Sequence, residues 1–219
     1  MTKIEKLRGL WPWPNINPNL PKRWSGWCAP DTHKMLMMCP RNAKLVVECG
    51  SWAGLSAQVL LERAPQSTLV CIDHWCEKPE QVAKLTNVLP EVHELMPVIY
   101  NLFISNHWGN RNRIIPVRLD TLDGLQLLHD LELEPDFIYL DSDHTTERLL
   151  AELRLCNEFW PTTMLGGDDH NQLTVQEAVR LWCAETERVV ASNATAFWTT
   201  LPAHGWRSDT VSPHNQSAG

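Results

Sequence analysis

This sequence has no apolar run near the roughly 20 residues that a transmembrane helix needs, so we expect no membrane span. Its first residues are not followed by an apolar block with a small-residue cleavage site, which argues against a secretory signal. Tyrosine and phenylalanine are scarce, at 2 and 4 residues, whereas tryptophan occurs 11 times. We therefore expect a soluble, cytoplasmic protein with an unusual use of tryptophan.

The seven cysteines form no CxxC pair and lack the Cys/His spacing of a zinc site. Several, such as Cys49 and Cys71, lie in apolar runs, where a reduced thiol is a small hydrophobe, so a reducing compartment is favoured. An excess of positive charge is also absent, because the formal net charge is −7. Nucleic acid is therefore not the expected partner, and a small molecule is the better candidate for the substrate.

At 219 residues, the chain can bury one substantial core and is short for two domains. We predict an N-terminal cap or lid rich in Trp and Pro at residues 1–43, an α/β domain at 44–206 and a disordered tail at 207–219. For the N-terminal segment, the sequence leaves three roles open: covering the substrate, capping the core and forming a homo-oligomer contact.

Short β-branched runs alternate with helical patterns from residue 44 onward, which predicts βαβ units. The predicted strands are 45–49, 68–73, 113–118, 136–141, 163–167, 188–191 and 196–201. The predicted helices are 55–63, 122–131, 145–159 and 174–186, with one or two more in 80–105 and a short one capped by Asp31 or Thr32. The last two strands are joined by only four residues, so they form an antiparallel hairpin. The expected fold class is α/β, with a doubly wound, seven-stranded, mostly parallel sheet.

The first predicted strand runs into a loop with the sequence E-C-G-S-W-A-G-L-S, residues 48–56. Glycines in a first βα turn let a ligand approach the backbone, and the next helix N-terminus offers N–H groups to an anion. The loop thus indicates a nucleotide-like ligand, with a plain strand-to-helix turn as the alternative. The dinucleotide fingerprint GxGxxG is not present, because Trp52 stands at its second glycine.

The second predicted strand ends in Ile72-Asp73-His74-Trp75, beside this loop. Asp73 can accept both hydroxyls of a ribose, and His74 or Trp75 can offer a face to adenine. Asp120, which follows the third strand, is a candidate for the adenine amino group. Either carboxylate could instead cap a helix.

In these two motifs, residues 46–56 and 71–75, the sequence resembles the class I S-adenosylmethionine-dependent methyltransferases. Within them it looks closest to the macrocin O-methyltransferase-like family of small-molecule O-methyltransferases, through the E-x-G-x-x-x-G-x-S loop and the I-D-x-W strand end. The resemblance covers about residues 44–201. It implies that S-adenosylmethionine is the cofactor. The implied cofactor contacts are Glu48, Gly50, Ser51, Gly54, Ser56 and Asp73.

Two later strands also end in acids: Asp141 and Asp143 follow the fourth, and Asp168 and Asp169 follow the fifth. Neighbouring strands of a doubly wound sheet bring both groups to one edge. Four carboxylates repel one another there, so we expect a positive group among them, and a hard cation is the simplest candidate. The alternative is that Asp168 and Asp169 cap a helix while Asp141 alone contacts the cofactor.

Related metal-dependent O-methyltransferases place metal ligands at these strand ends. The resemblance therefore implies that Asp141, Asp168 and Asp169 bind Mg²⁺, or alternatively Ca²⁺ or Mn²⁺. It implies metal-assisted O-methylation of a small hydroxylated acceptor, with Asp143 or His144 as general base. Two other readings stay open: a catalytically inactive, methyltransferase-like binding module, and another nucleotide-cofactor enzyme such as an oxidoreductase or hydroxylase.

Overall fold

One mixed sheet organises the computed structural model, which describes residues 1–20, 25–75, 98–186 and 188–200. Its strands are β1 (Leu45–Cys49), β2 (Thr68–Ile72), β3 (Ile114–Val117), β4 (Phe137–Leu140), β5 (Met164–Gly167), β6 (Val189–Ser192) and β7 (Phe197–Thr200). The α-helices are α1 (Lys3–Leu10), α2 (Pro30–Leu36), α3 (Leu55–Arg63), α4 (Ile99–Asn106), α5 (Thr121–Asp130), α6 (Thr146–Phe159) and α7 (Leu173–Thr186).

The strand order is β3-β2-β1-β4-β5-β7-β6, and β7 alone runs antiparallel to the other six. This confirms the predicted doubly wound sheet and its terminal hairpin. In the hairpin turn, the side-chain oxygen of Asn193 accepts the backbone N–H groups of Thr195 and Ala196. The Asn193 side chain therefore stabilises the turn that reverses the chain.

The strand register aligns the carboxyl ends of the central strands. Cys49 of β1 is opposite Ile72 of β2 and Leu140 of β4, and Leu140 is opposite Gly167 of β5. The residues that follow these four strands consequently begin in one row at the edge of the sheet. They are Gly50, Asp73, Asp141 and Asp168.

The core has two halves because the sheet is covered on both faces. Every residue of β1 is buried, and Val47 and Cys49 belong to one apolar cluster whereas Val46 belongs to the other. This burial on both faces explains the nearly continuous apolar runs of the strands. At the N-terminus, Leu7 of α1 is fully buried in the first cluster, so α1 is anchored in the core.

The prediction that Asp31 or Thr32 caps the short N-terminal helix is wrong. Helix α2 begins at Pro30 and has Ala29 as its N-cap, because the fixed φ of proline suits the first helical position. Helix α4 occupies the end of the span 80–105, and the rest of that helical prediction lies outside the described residues, as does the predicted tail. Within the described ranges, no helix has the length and apolarity required to cross a membrane.

Candidate functional site at the carboxyl edge of the sheet

The turn between β1 and α3, here called the glycine loop (residues 50–54), needs its glycines for contacts within the protein. Gly50 and Gly54 have φ of +86° and +97°. A Cβ atom on Gly50 would lie 2.1 Å from the carbonyl oxygen of Asp141, and one on Gly54 would lie 2.1 Å from Nε2 of His107. The expected role of glycine was to admit a ligand, but the space beside these two residues is filled by the protein itself.

Three consecutive carbonyl oxygens of the glycine loop accept hydrogen bonds from side chains. Nε1 of Trp75 lies 2.8 Å from the carbonyl oxygen of Trp52, and Nδ2 of Asn106 lies 3.0 Å from that of Ala53. Nε2 of His107 lies 2.9 Å from the carbonyl oxygen of Gly54. Sequence reasoning missed Asn106 and His107, which follow a stretch without a recognisable motif.

Glu48 and Ser51 lie beneath the loop and not on its surface. The hydroxyl of Ser51 donates to Oε2 of Glu48 at 2.6 Å, and both side chains are buried, as is Ser56. Burial raises the pKa of Glu48 to about 7, and its Oε1 has no hydrogen-bond partner among the described residues. In this conformation Glu48 supports the loop from below; its direct contact with a cofactor stays a prediction.

Asp73 links the end of β2 to the glycine loop. Its two carboxylate oxygens accept the backbone N–H groups of Trp52 at 2.9 Å and Trp75 at 2.6 Å. The side chains of Asp73 and His74 are 15% and 36% exposed, so a ligand at the edge can reach both. Trp75 is buried against Tyr100 and Phe103, which leaves His74 as the more accessible candidate for an adenine face.

Asp120 caps a helix, as the alternative interpretation allowed. Its carboxylate accepts the backbone N–H of Leu122 at the start of α5, and it forms an ion pair with Arg148. Burial opposes ionisation, but the hydrogen bond and charge of Arg148 hold the pKa of Asp120 below its ordinary value. A contact between Asp120 and adenine stays a prediction.

Three side chains converge where β4 and β5 end, and we call them the acid cluster: Asp141, His144 and Asp169. Nε2 of His144 lies 2.8 Å from Oδ2 of Asp169 and 3.5 Å from Oδ1 of Asp141. The three potential ligand atoms lie within 4.8 Å of one another. The hydroxyl of Tyr139 donates to the second oxygen of Asp141 at 3.0 Å and fixes that carboxylate.

This cluster differs by one residue from the predicted ligand set, because Asp168 is not part of it. Oδ1 of Asp168 instead accepts the hydroxyl of Thr32 at 2.5 Å. Adjacent side chains at a strand end point in different directions, and Asp169 turns the chain with φ of +55°. In this conformation His144, and not Asp168, faces Asp141 and Asp169, and metal binding by Asp168 stays a prediction.

His144 also supplies the positive charge that was expected among the acids. The nearby carboxylates of Asp141 and Asp169 raise the pKa of His144 to about 10, whereas burial raises the pKa of Asp141 to about 6. Asp143 is directed elsewhere, because its carboxylate accepts the backbone N–H of Thr145 at 2.8 Å. Of the two candidate bases, His144 is thus the one that faces the predicted ligands.

The N-terminal segment crosses this edge of the sheet, and we call residues 25–32 the strap. Near one end, the ring centroid of Trp27 lies 5.9 Å from that of Trp52 in the glycine loop. Burial raises the pKa of Cys28 to about 11, and the negative charges of three carboxylates add to this effect: Asp168, Asp141 and Glu48. Cys28 therefore lies near these acids. At the other end, Thr32 binds Asp168. The strap thus spans the distance from the glycine loop to the end of β5.

A family model described as a methyltransferase domain matches residues 47–170, which is more than half of the chain and includes the glycine loop and the acid cluster. The chain belongs to this methyltransferase domain family. A search of the curated proteins finds no match to it.

Solved structures of other methyltransferases share the fold of this methyltransferase domain. A putative O-methyltransferase from Klebsiella pneumoniae is 15% identical, with a TM-score of 0.53 over 92% of this chain and 90% of that one. An O-methyltransferase from Bacillus cereus, described as a complex with SAH, is 16% identical, with a TM-score of 0.50 over 91% and 90% of the two chains. At these identities the likeness shows the common fold; the macrocin-like subfamily stays a prediction.

A fall in pH should lower the free energy of unfolding of the methyltransferase domain, because the buried His107 side chain is neutral in the folded protein. Burial lowers the pKa of this side chain from 6.5 to about 4, so folding favours the neutral form. The stabilisation is fully present above pH 6.5 and is lost as the pH falls towards 4, by about 3 kcal/mol in total. His107→Gln keeps a side-chain N–H but does not titrate. Urea denaturation between pH 4 and 7 should show a smaller loss of stability in this variant, and equal losses would contradict the assignment.

Proposed function

We propose that this chain is an S-adenosylmethionine-dependent methyltransferase that methylates a hydroxyl group of a small acceptor with the help of a divalent cation. The observation that carries the proposal is the acid cluster directly beside the glycine loop, where Asp141 contacts Gly50 through its backbone and faces His144 through its side chain. The names of the Klebsiella and Bacillus neighbours, both O-methyltransferases, support the reaction class.

Residues at the end of β2 are suited to hold the cofactor. The Asp73 carboxylate reaches the surface of the edge and retains lone pairs beyond the two N–H groups that it accepts, so it can bind ribose hydroxyls. His74 lies next to it and offers its ring to adenine. The acid cluster lies on the opposite side of β1, so the adenosine end and the reacting methyl group would be separated along the edge.

The acid cluster has a donor set that fits a divalent cation. Two carboxylates and one imidazole nitrogen lie close enough to share one ion. Carboxylates suit Mg²⁺, Ca²⁺ and Mn²⁺, whereas imidazole suits transition metals, so the mixed set favours Mn²⁺ over the Mg²⁺ that an all-carboxylate set implies. When bound, the cation would act as a Lewis acid that lowers the pKa of the acceptor hydroxyl.

The other residues would orient the acceptor and take its proton. The acceptor oxygen forms a bond to the methyl carbon as the carbon–sulfur bond breaks, and the hydroxyl proton passes to a base. Because His144 is placed among the cation ligands, the remaining candidate for the base is Asp143, which lies outside the acid cluster, accepts the backbone N–H of Thr145 and is partly exposed at the same edge. The strap would cover the acceptor, and Trp27, which is 52% exposed, offers it an apolar surface.

The alternative of an inactive binding module is less favoured, because the family match covers both the glycine loop and the acid cluster. A direct test incubates the protein with methyl-labelled S-adenosylmethionine, Mn²⁺ and a panel of small alcohols and phenols. The proposal expects transfer of label to an acceptor, and it expects the transfer to be lost in Asp141→Asn. Methyl transfer at the wild-type rate in Asp141→Asn would contradict the proposed site.

Replacement of Asp73 by Asn should weaken the binding of S-adenosylhomocysteine by about tenfold to a hundredfold, because charge-assisted hydrogen bonds contribute about 1.5–3 kcal/mol. The same change removes an acceptor from the N–H of Trp52 or Trp75, so a modest loss of stability should accompany it. Calorimetric titration measures the affinity. Asp130→Asn, at the end of α5, is the matched control and should bind like the wild type. An unchanged affinity in Asp73→Asn would remove Asp73 from the cofactor site.

A further inference from the structure

Three side chains from two parts of the chain bind the carbonyl oxygens of Trp52, Ala53 and Gly54 in succession. We call these donors the loop clamp: Trp75, which follows β2, and Asn106 and His107 at the end of α4. Because the three acceptors are consecutive, the clamp fixes the path of the backbone through the whole second half of the glycine loop.

The donors of the clamp are themselves held by an aromatic stack. The ring of Phe103 lies between those of Trp75 and His107, with centroid distances of 4.8 and 4.9 Å. Trp75, Phe103 and His107 are all buried. His107 must carry its proton on Nε2 to donate to Gly54, which leaves Nδ1 buried and without a partner among the described residues. The burial of that nitrogen disfavours the charged ring, so the donating tautomer is kept.

The clamp holds the loop in a conformation that its residues do not favour by themselves. Trp52 and Trp75 have φ of +47° and +39°, in the left-handed region that bulky residues seldom adopt. Such conformations persist only where the surroundings fix them. Here Asp73 accepts the backbone N–H of both residues, while the indole of Trp75 donates to the carbonyl of Trp52. Hydrogen bonds to its N–H groups and to a carbonyl oxygen thus hold the strained backbone in place.

We propose that Trp75, Asn106 and His107 are positioning residues that hold the glycine loop in its cofactor-binding conformation before the cofactor arrives. The inference rests on the proposed function, since it assigns the cofactor to this loop. It also gives Trp75 a different role from the adenine face considered above, because its ring is enclosed by Tyr100 and Phe103. Ordering the loop in advance raises affinity by removing an entropic cost of binding.

The test compares variants that lose a donor with one that keeps it. Asn106→Ala, His107→Phe and Trp75→Phe each remove an N–H donor, and the last two keep an aromatic ring in the stack. His107→Gln retains a donor. Asn110→Ala is the matched control, because Asn110 donates to Gln58 of α3 and does not contact the loop. Asn106 is partly exposed, so its replacement leaves no buried cavity.

Two measurements are needed: the Kd of S-adenosylhomocysteine, and amide hydrogen exchange of the glycine loop with and without it. We expect each donor loss to raise the Kd by roughly tenfold and to speed loop exchange in the free protein, as is typical of one lost hydrogen bond. Exchange should return to the wild-type rate at saturation, with kcat changed by less than about twofold. His107→Gln should restore most of the affinity.

Either of two results would overturn the clamp: a Kd unchanged in all three donor variants, or a raised Kd with wild-type loop exchange in the free protein. If the wild type itself fails to bind S-adenosylhomocysteine, the proposed function fails. The exchange measurement still decides whether the clamp orders the loop, so the two failures can be distinguished.

Discussion

Treatment with EDTA should abolish methyl transfer, and added Mn²⁺ should restore it. The acid cluster offers two carboxylates and an imidazole to one ion, and no other described group of three such side chains converges in this way. A cation that lowers the pKa of the acceptor hydroxyl is worth several kcal/mol in the transition state, so its removal should reduce the rate by more than about a hundredfold. Product formation from labelled cofactor measures this loss.

Single substitutions can decide whether His144 or Asp168 is the third ligand beside Asp141 and Asp169. His144→Gln and Asp169→Asn should each abolish the rise in melting temperature that Mn²⁺ gives the wild type. Asp168→Asn should retain most of that rise, because the Asp168 carboxylate is bound to Thr32. If Asp168→Asn instead abolished the rise in melting temperature and His144→Gln retained it, Asp168 and not His144 would be the ligand. Activity indifferent both to EDTA and to Asp169→Asn would refute the metal-assisted reaction altogether.

Replacement of Gly50 by Ala should destabilise the protein by roughly 2–5 kcal/mol. The added Cβ would lie 2.1 Å from the carbonyl oxygen of Asp141, and the residue would be held at φ of +86°. Overpacking costs about 1–3 kcal/mol, and the left-handed conformation adds about 1–2 kcal/mol for a residue with a side chain. Urea denaturation of the ligand-free protein measures the loss.

The matched control is Gly9→Ala in α1, where a Cβ meets nothing within 4 Å and alanine suits a helix better than glycine. It should leave the stability unchanged or raise it slightly. The sequence-based interpretation gives the opposite pattern for Gly50, in which the ligand-free protein is stable and only binding is lost. That outcome would show that the glycine serves the ligand and not the contact with Asp141.

The architecture could be predicted from the sequence because its signals are local. Buried strands read as apolar runs, and the four residues between the last two strands exclude a parallel return. The position of the acidic residues could also be predicted. Residues that follow parallel strands lie at the same edge of the sheet, whichever way their side chains point. Residues 73, 141, 168 and 169 are indeed brought there.

The partners of those acids could not be predicted, because they depend on contacts between distant parts of the chain. Thr32, which binds Asp168, lies 136 residues away from it in the sequence. Like-charge repulsion predicted a positive group among these acids but not which residues they would pair with. In the structure Asp169 pairs with His144, and Asp168 accepts a hydrogen bond from Thr32. His107 was missed for the same reason, since nothing near it in the sequence indicates a contact with Gly54.

The measurement that tests the central claim most directly is a calorimetric titration of the full chain with S-adenosylhomocysteine and, separately, with NAD. If the glycine loop and Asp73 form the cofactor site of a methyltransferase, S-adenosylhomocysteine should bind saturably with one molecule per chain, and NAD should give no comparable heat. Saturable binding of NAD, with none of S-adenosylhomocysteine, would contradict the account and favour an oxidoreductase.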